Sequence, residues 1–138
     1  MKLKLKDLAR IHQALTLLDK GFDLSGGAVV GMARNFRLIR GELTDVEKKV
    51  QEERQALGNP PDKNDSAAFA AFIEKVKPID KKIEEMYEAE SSELDLFKFT
   101  LAGLRLEDKT DEDGNQIPLP NKIPAKDCLS VLMEFGLL

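Results

Sequence analysis

Apolar residues return at alternating three- and four-residue steps along two long stretches of this chain, the spacing that keeps one side of a helix apolar. Over residues 25–57 the series runs Val29, Met32, Phe36, Ile39, Leu43, Val46, Val50 and Leu57, broken only by Glu53. Over about 66–90 it runs Phe69, Phe72 or Ile73, Val76, Ile79, Ile83 and Met86. The two stripes can close on each other, which predicts a long antiparallel helical hairpin as the organising element. At 1.5 Å per residue its first arm would be about 45 to 50 Å long, more than the width of an ordinary domain of this size. That length implies an elongated molecule or a surface meant for another chain.

Shorter patterns flank the hairpin. Residues 2–6 read K-L-K-L-K, an alternation that predicts a short edge strand with lysines outward. Asp7 is then placed to cap an N-terminal helix through Leu8, Ile11, Leu15 and Leu18, ending at Gly21. Phe22 and Leu24 are expected under the hairpin, and Ser25 at the start of the long helix. Gly31 and Gly41 fall inside that helix, where glycine is costly and can mark close approach of another group. G-N-P-P at 58–61 stops it, Ser66 is expected to cap the second arm, and Pro78 predicts a kink near Val76. Residues 93–101 alternate in two phases, a strand with a bulge or twist, and 104–119 carries D-E-D-G-N between apolar arms, a hairpin signal. Pro124 opens a short C-terminal helix in which Cys128, Leu129, Leu132 and Phe135 share a face.

The expected fold is therefore mostly α: a long antiparallel helical hairpin, an extra N-terminal helix, a small β element and a short C-terminal helix. One domain over 1–138 is expected, with the hairpin core at about 25–90 and a small β-containing part at about 92–138. The chain is long enough to bury a core without disulfides or metal. With seven Phe, one Tyr and no Trp, that core must be built mainly from Leu, Ile, Val and Ala. Net charge is −4, which gives the whole molecule no electrostatic reason to seek nucleic acid. The single cysteine excludes an internal disulfide and any cysteine-based zinc site, and suits a reducing, cytoplasmic setting. No window approaches eighteen apolar residues and the first residues lack a signal-peptide core, so no membrane association is expected.

Candidate chemistry is sparse. Aligning the Asp-rich tip as a calcium loop with Gly114 at the sharp turn puts Lys109 and Pro120 where carboxylates are required, so a structural hairpin is expected. His12 has no second His or Cys to complete a metal or nucleophile set, and reads as a residue between helices. Cys128, among apolar neighbours, reads as core. Glu84, Glu85, Glu88 and Glu90 beside Lys81 and Lys82 read as solvated helix surface. The most informative polar feature is Arg34, Arg37 and Arg40, three residues apart and spanning roughly 120° of one flank. Acidic residues 42, 45, 47, 52 and 53 follow, so the long helix is polarised, basic near its start and acidic toward its end. The arginines either pair with Glu84, Glu88 or Asp80 across the hairpin, or form a site for an anion or an acidic partner, aided by the backbone donors of Gly26 and Gly27.

Four segments carry a resemblance: the opening M-K-L-K-L-K-D-L-A-R-I-H-Q-A-L, A-R-N-F-R-L-I-R-G-E-L with E-E-R-Q-A-L, E-S-S-E-L-D-L-F-K-F-T-L-A-G-L, and I-P-A-K-D-C-L-S-V-L-M-E-F. In layout, across nearly the whole chain, they resemble small helical proteins encoded by tailed bacteriophages. The chain departs from that layout at Ser25-Gly26-Gly27, where a proline-containing helix start is more usual. The resemblance implies a phage origin and a similar fold, and transfers no catalytic residue.

These features lead to the expectation of a non-catalytic, cofactor-free interaction protein that binds and blocks a host or defence protein. The alternatives are a virion or tail-assembly protein or chaperone, and an oligomeric sponge holding an anionic nucleotide signal at Gly26, Gly27, Arg34, Arg37 and Arg40. A host or phage protein partner and a homo-oligomer are expected, with a small anionic ligand as a further partner class.

Overall fold

A computed structural model of the chain describes residues 1–21, 23–105, 109–110, 112–117 and 126–138. It is mostly helical. α1 (Leu5–Gly21), α2 (Gly26–Leu57) and α3 (Ser66–Tyr87) follow one another, and α4 (Lys126–Glu134) comes last. Between α3 and α4 lie β1 (Lys109–Thr110) and β2 (Gln116–Ile117), two residues each, antiparallel, with Lys109 opposite Ile117.

α1 packs against both α2 and α4, and α2 against α3. Leu8, Ile11, Leu15 and Leu18 are fully buried, so α1 supplies the centre of the core. α2 contributes Met32, Ile39, Leu43, Val46 and Val50 from its apolar stripe. Its stripe is turned slightly from the expected one: Ala28 is buried while Val29 is 52% exposed, and Phe36 is only half-buried. α3 buries Ile83 and packs Ile79, Met86 and Tyr87 against the core, whereas Phe69, Phe72 and Val76 nearer its start are half-buried outside that cluster. Glu53 on α2 reaches Lys82 on α3 at 2.6 Å, and Glu42 bonds Ser92 just past α3. From the first contact to the second, the partners step in opposite directions along the chain.

The helix boundaries have local causes. The Ser25 hydroxyl accepts from the Ala28 amide at 3.2 Å, as an N-cap does, and Gly58 at φ 73° closes α2. At α3 the cap is Asp65 rather than Ser66; its carboxylate accepts from the Ala68 amide at 3.1 Å, and a carboxylate at a helix start is also favoured by the helix dipole. α3 continues as one helix through Pro78 to Tyr87.

The expected β element does not form as such. Residues 2–6 give no strand: the Lys4 carbonyl accepts from the Asp7 and Leu8 amides and α1 begins at Leu5. Leu5 belongs to the helical series Leu5, Leu8, Ile11 as well as to the alternation, and the helix buries it. Strand-like pairing in this stretch is limited to a single bridge, Lys4 with Glu90. Residues 93–101 form no strand either. Their amides are met one by one: Leu94 by the Met1 carbonyl (3.0 Å), Phe97 by Asn35, and Phe99 by the Leu137 carbonyl (2.7 Å). Leu94, Leu96 and Phe99 are buried, Phe97 lies on Gly31, and Leu101 is exposed. Among the described residues of 104–119, β1 pairs with β2, with Gly114 between them at φ 82°. Phe22, expected beneath the hairpin, and Pro124, expected at the start of α4, lie outside the described residues.

Candidate interaction face

Arg34 and Arg37 stand on the side of α2 that faces away from its buried stripe. Both are exposed, and neither makes an ion pair among the described residues. With Val30 and Ala33 they line an open hollow of about 400 Å³. Val29 and Val30 are 52% and 60% exposed, so the hollow lies beside apolar surface. Two cations next to exposed aliphatic side chains can take an anion or an acidic surface carrying some apolar area.

Among the described residues, the expected pairing of these arginines with Glu84, Glu88 or Asp80 is not made. Glu88 is held instead by Lys4 (2.7 Å) and Lys6 (2.6 Å), because the Lys4–Glu90 bridge brings the N-terminus to the end of α3. Those hydrogen bonds, first from Lys4 and then from Lys6, lower the Glu88 carboxyl to about 2.

The other candidate residues lie elsewhere. Gly26 and Gly27 occupy the first two positions of α2, exposed, with nothing within 4 Å of where a Cβ would stand. Gly27 precedes Arg34 by seven residues, about 10 Å along the axis. Arg40 turns toward α1, its Nε 3.5 Å from His12 Nε2. His12 is half-buried there with its ring edge-on to Phe36 at 5.2 Å. Burial lowers the His12 pKa, Arg40 adds to the lowering, and Glu47 opposes it. The five candidates are therefore three separate places: the helix start, the Arg34–Arg37 pair, and the Arg40–His12 contact.

The inner side of α2 holds this face in place. Asn35 is fully buried and clamps the backbone of Phe97, donating to its carbonyl (3.0 Å) and accepting from its amide (2.6 Å). One turn earlier, a Cβ on Gly31 would lie 2.2 Å from Phe97 Cδ1. Gly41 is the opposite case, exposed with nothing within 4 Å of a Cβ. The close approach expected at Gly31 and Gly41 is therefore found at Gly31 alone, and the buried Asn35 carries no signal in the apolar spacing.

Cys128 is buried, donates to the Ala14 carbonyl at 3.1 Å, and has its pKa raised by that burial. A second hollow of about 310 Å³ lies beside it between α1 and α4, bordered by Arg10 and Leu17. Arg10 is committed to Glu134 at 2.8 Å and lies over the Phe135 ring at 5.5 Å. Among the described residues there is no group of three His, Cys, Asp or Glu that could hold a metal ion, and no helix long and apolar enough to cross a membrane.

No protein-family model, curated protein or solved structure matches this chain.

Proposed function

We propose that this chain is a non-catalytic interaction protein of bacteriophage origin that acts in the host cytoplasm by binding and blocking a host or defence protein. The observation that carries this reading is the Arg34–Arg37 pair: two exposed cations beside Val30, with no ion pair among the described residues. Surface arginines lacking an internal partner and flanked by apolar area are what an acidic protein surface can use, since arginine is enriched at interface centres. In this reading α2 and α3 form an antiparallel hairpin, supported by the opposite stepping of Glu53–Lys82 and Glu42–Ser92. The hairpin makes α2 an edge along which a partner can lie. Phage origin rests on the layout resemblance alone.

The test is affinity capture from host lysate with the wild-type chain and with the double variant Arg34→Glu/Arg37→Glu. A stoichiometric acidic protein captured by the first and lost from the second supports the proposal; equal capture by both refutes it. Recovery of phage structural proteins would instead assign the face to virion or tail assembly. The open hollow at Val30, Ala33, Arg34 and Arg37 favours a second reading, a sponge for an anionic nucleotide. It requires a small ligand that co-purifies with the wild type and is lost from Arg34→Ala/Arg37→Ala.

A further inference from the structure

From Gln51, past the end of α2 and into α3 as far as Lys82, none of the 32 residues is buried. The stretch does not lack apolar side chains. Leu57, Phe69, Phe72 and Val76 are half-buried outside the core cluster, and Ile73 is 41% exposed. Ser66–Ile73 reads S-A-A-F-A-A-F-I, two turns without a charge on any side, in a chain that is 33% charged. Helices in proteins draw their stability mainly from packing, and a helix apolar all round is a covered one. Among the described residues nothing covers the outer side of this one, where Ala67, Ala70 and Ile73 are exposed.

Two observations point to a second copy of the chain as the cover. The first is area. The chain exposes 9379 Å² at a mass of 15.4 kDa, where a folded monomer of that mass exposes about 7,200 Å². The surplus of about 2,000 Å² is more than the roughly 800 Å² that a stable complex takes from each partner. The second is charge. A two-fold contact sets a patch against itself, so a patch of one sign repels its copy. Residues 51–82 hold six acidic and six basic side chains, although the whole chain is at −4. On the outer side of α3, Ser66, Ala67, Ala70, Ile73, Glu74 and Lys77 lie within about 60° of Ala70. The two charges among them, Glu74 and Lys77, pair with each other at 2.8 Å. A chain of net negative charge can meet its own copy here without repulsion.

We infer that the outer side of α3 binds the same side of a second copy, the two helices antiparallel across a two-fold at Ala70. In that register Ile73 of one copy is level with Ala67 of the other, so a large side chain meets a small one twice, and Ala70 meets Ala70. Small residues at the crossing let the helices approach closely, since side chains at the contact set the interaxial distance. Glu74 is level with Ser66. Lys77 is level with Lys63, the one like-charged meeting; Lys77 is already bonded to Glu74, and Lys63 stands between Asp62 and Asp65. Lys81, Glu84 and Glu85, the next charges on this side, lie past the start of the other copy's α3. The contact uses the same patch on both copies and closes as a dimer. It leaves Arg34 and Arg37 on α2 free for a different partner, so it stands independently of the function proposed above.

Sedimentation equilibrium of the full chain tests this, with mild oxidation of a cysteine variant as the second measurement. The wild type is expected to dimerise. Ala70→Glu sets two like charges together at the two-fold and should weaken the dimer about tenfold or more; Ala70 is exposed, so the substitution does not disturb the fold. Ala70→Cys should form a disulfide with its own copy, because only a residue on the two-fold meets itself, while Gln51→Cys, exposed on α2, should not. Arg34→Glu/Arg37→Glu should leave the dimer intact. A wild type that stays monomeric, a dimer indifferent to Ala70→Glu, or a dimer in which Ala70→Cys stays reduced overturns the inference. A monomeric wild type that loses a host protein on Ala70→Glu also overturns it, and gives this side of α3 to a heterologous partner. Loss of the dimer on Arg34→Glu/Arg37→Glu, with Ala70→Glu silent, would move the self-contact to α2 and likewise overturn it.

Discussion

Phe97 lies on α2 so closely that a Cβ on Gly31 would stand 2.2 Å from its Cδ1. Gly31→Ala must displace the ring or the helix, and overpacking of this kind costs about 1–3 kcal/mol. Gly41→Ala meets nothing and should gain up to about 1 kcal/mol from helix propensity. Urea midpoints, measured at protein concentrations low enough to keep the chain monomeric, should move in opposite directions for the two substitutions.

Asn35→Ala removes both bonds to the Phe97 backbone and leaves an amide and a carbonyl without their partner. Each buried polar group left unsatisfied costs about 1–3 kcal/mol, so this should rank among the most destabilising changes on α2. Amide hydrogen exchange at Phe97 should accelerate relative to α1. Unchanged exchange there would show that the clamp does not hold residues 93–101 in place.

Glu88 ties the N-terminus to the end of α3, and its carboxyl is lowered from 4.5 to about 2 by Lys4 and Lys6. A depressed carboxylate contributes stability above its unfolded value and loses it as pH falls through the folded one. The contribution of this contact should therefore be full above about pH 4.5 and disappear toward pH 2. Thermal midpoints of wild type and Glu88→Gln should differ at neutral pH and converge across that window; a constant difference would contradict the assignment.

Arg40→Ala removes the second of the two causes that lower His12, leaving burial as the remaining one. In an NMR titration the His12 pKa should rise toward, without reaching, the ordinary 6.5. No change would place Arg40 away from the ring in solution.

The helices were legible because their apolar spacing is long and regular, and Met32, Ile39, Leu43, Val46 and Val50 lie where that spacing puts them. The finer phase of α2 was not. Asn35 reads as polar surface and is fully buried, since its partner is the backbone of Phe97, 62 residues away. Val29 reads as core and is exposed, while Ala28 takes the buried place. Alternation misled at residues 2–6, where Leu5 satisfies strand and helix patterns alike, and at 93–101, where the amides are met by Met1, Asn35 and Leu137 instead of a neighbouring strand. For the candidate face, the arginine spacing was visible, but the spacing does not show that Glu42 already meets Ser92, past the end of α3, so that Arg34 and Arg37 lie beyond the level of Asp80, Glu84 and Glu88.

The most direct test of α2 as a docking face is native mass spectrometry of the chain purified gently from the cells in which it acts, wild type beside Arg34→Glu/Arg37→Glu. The wild type should carry an acidic host protein in fixed ratio, and the variant should not. A wild type without that companion, or a host companion retained equally by the variant, would contradict it.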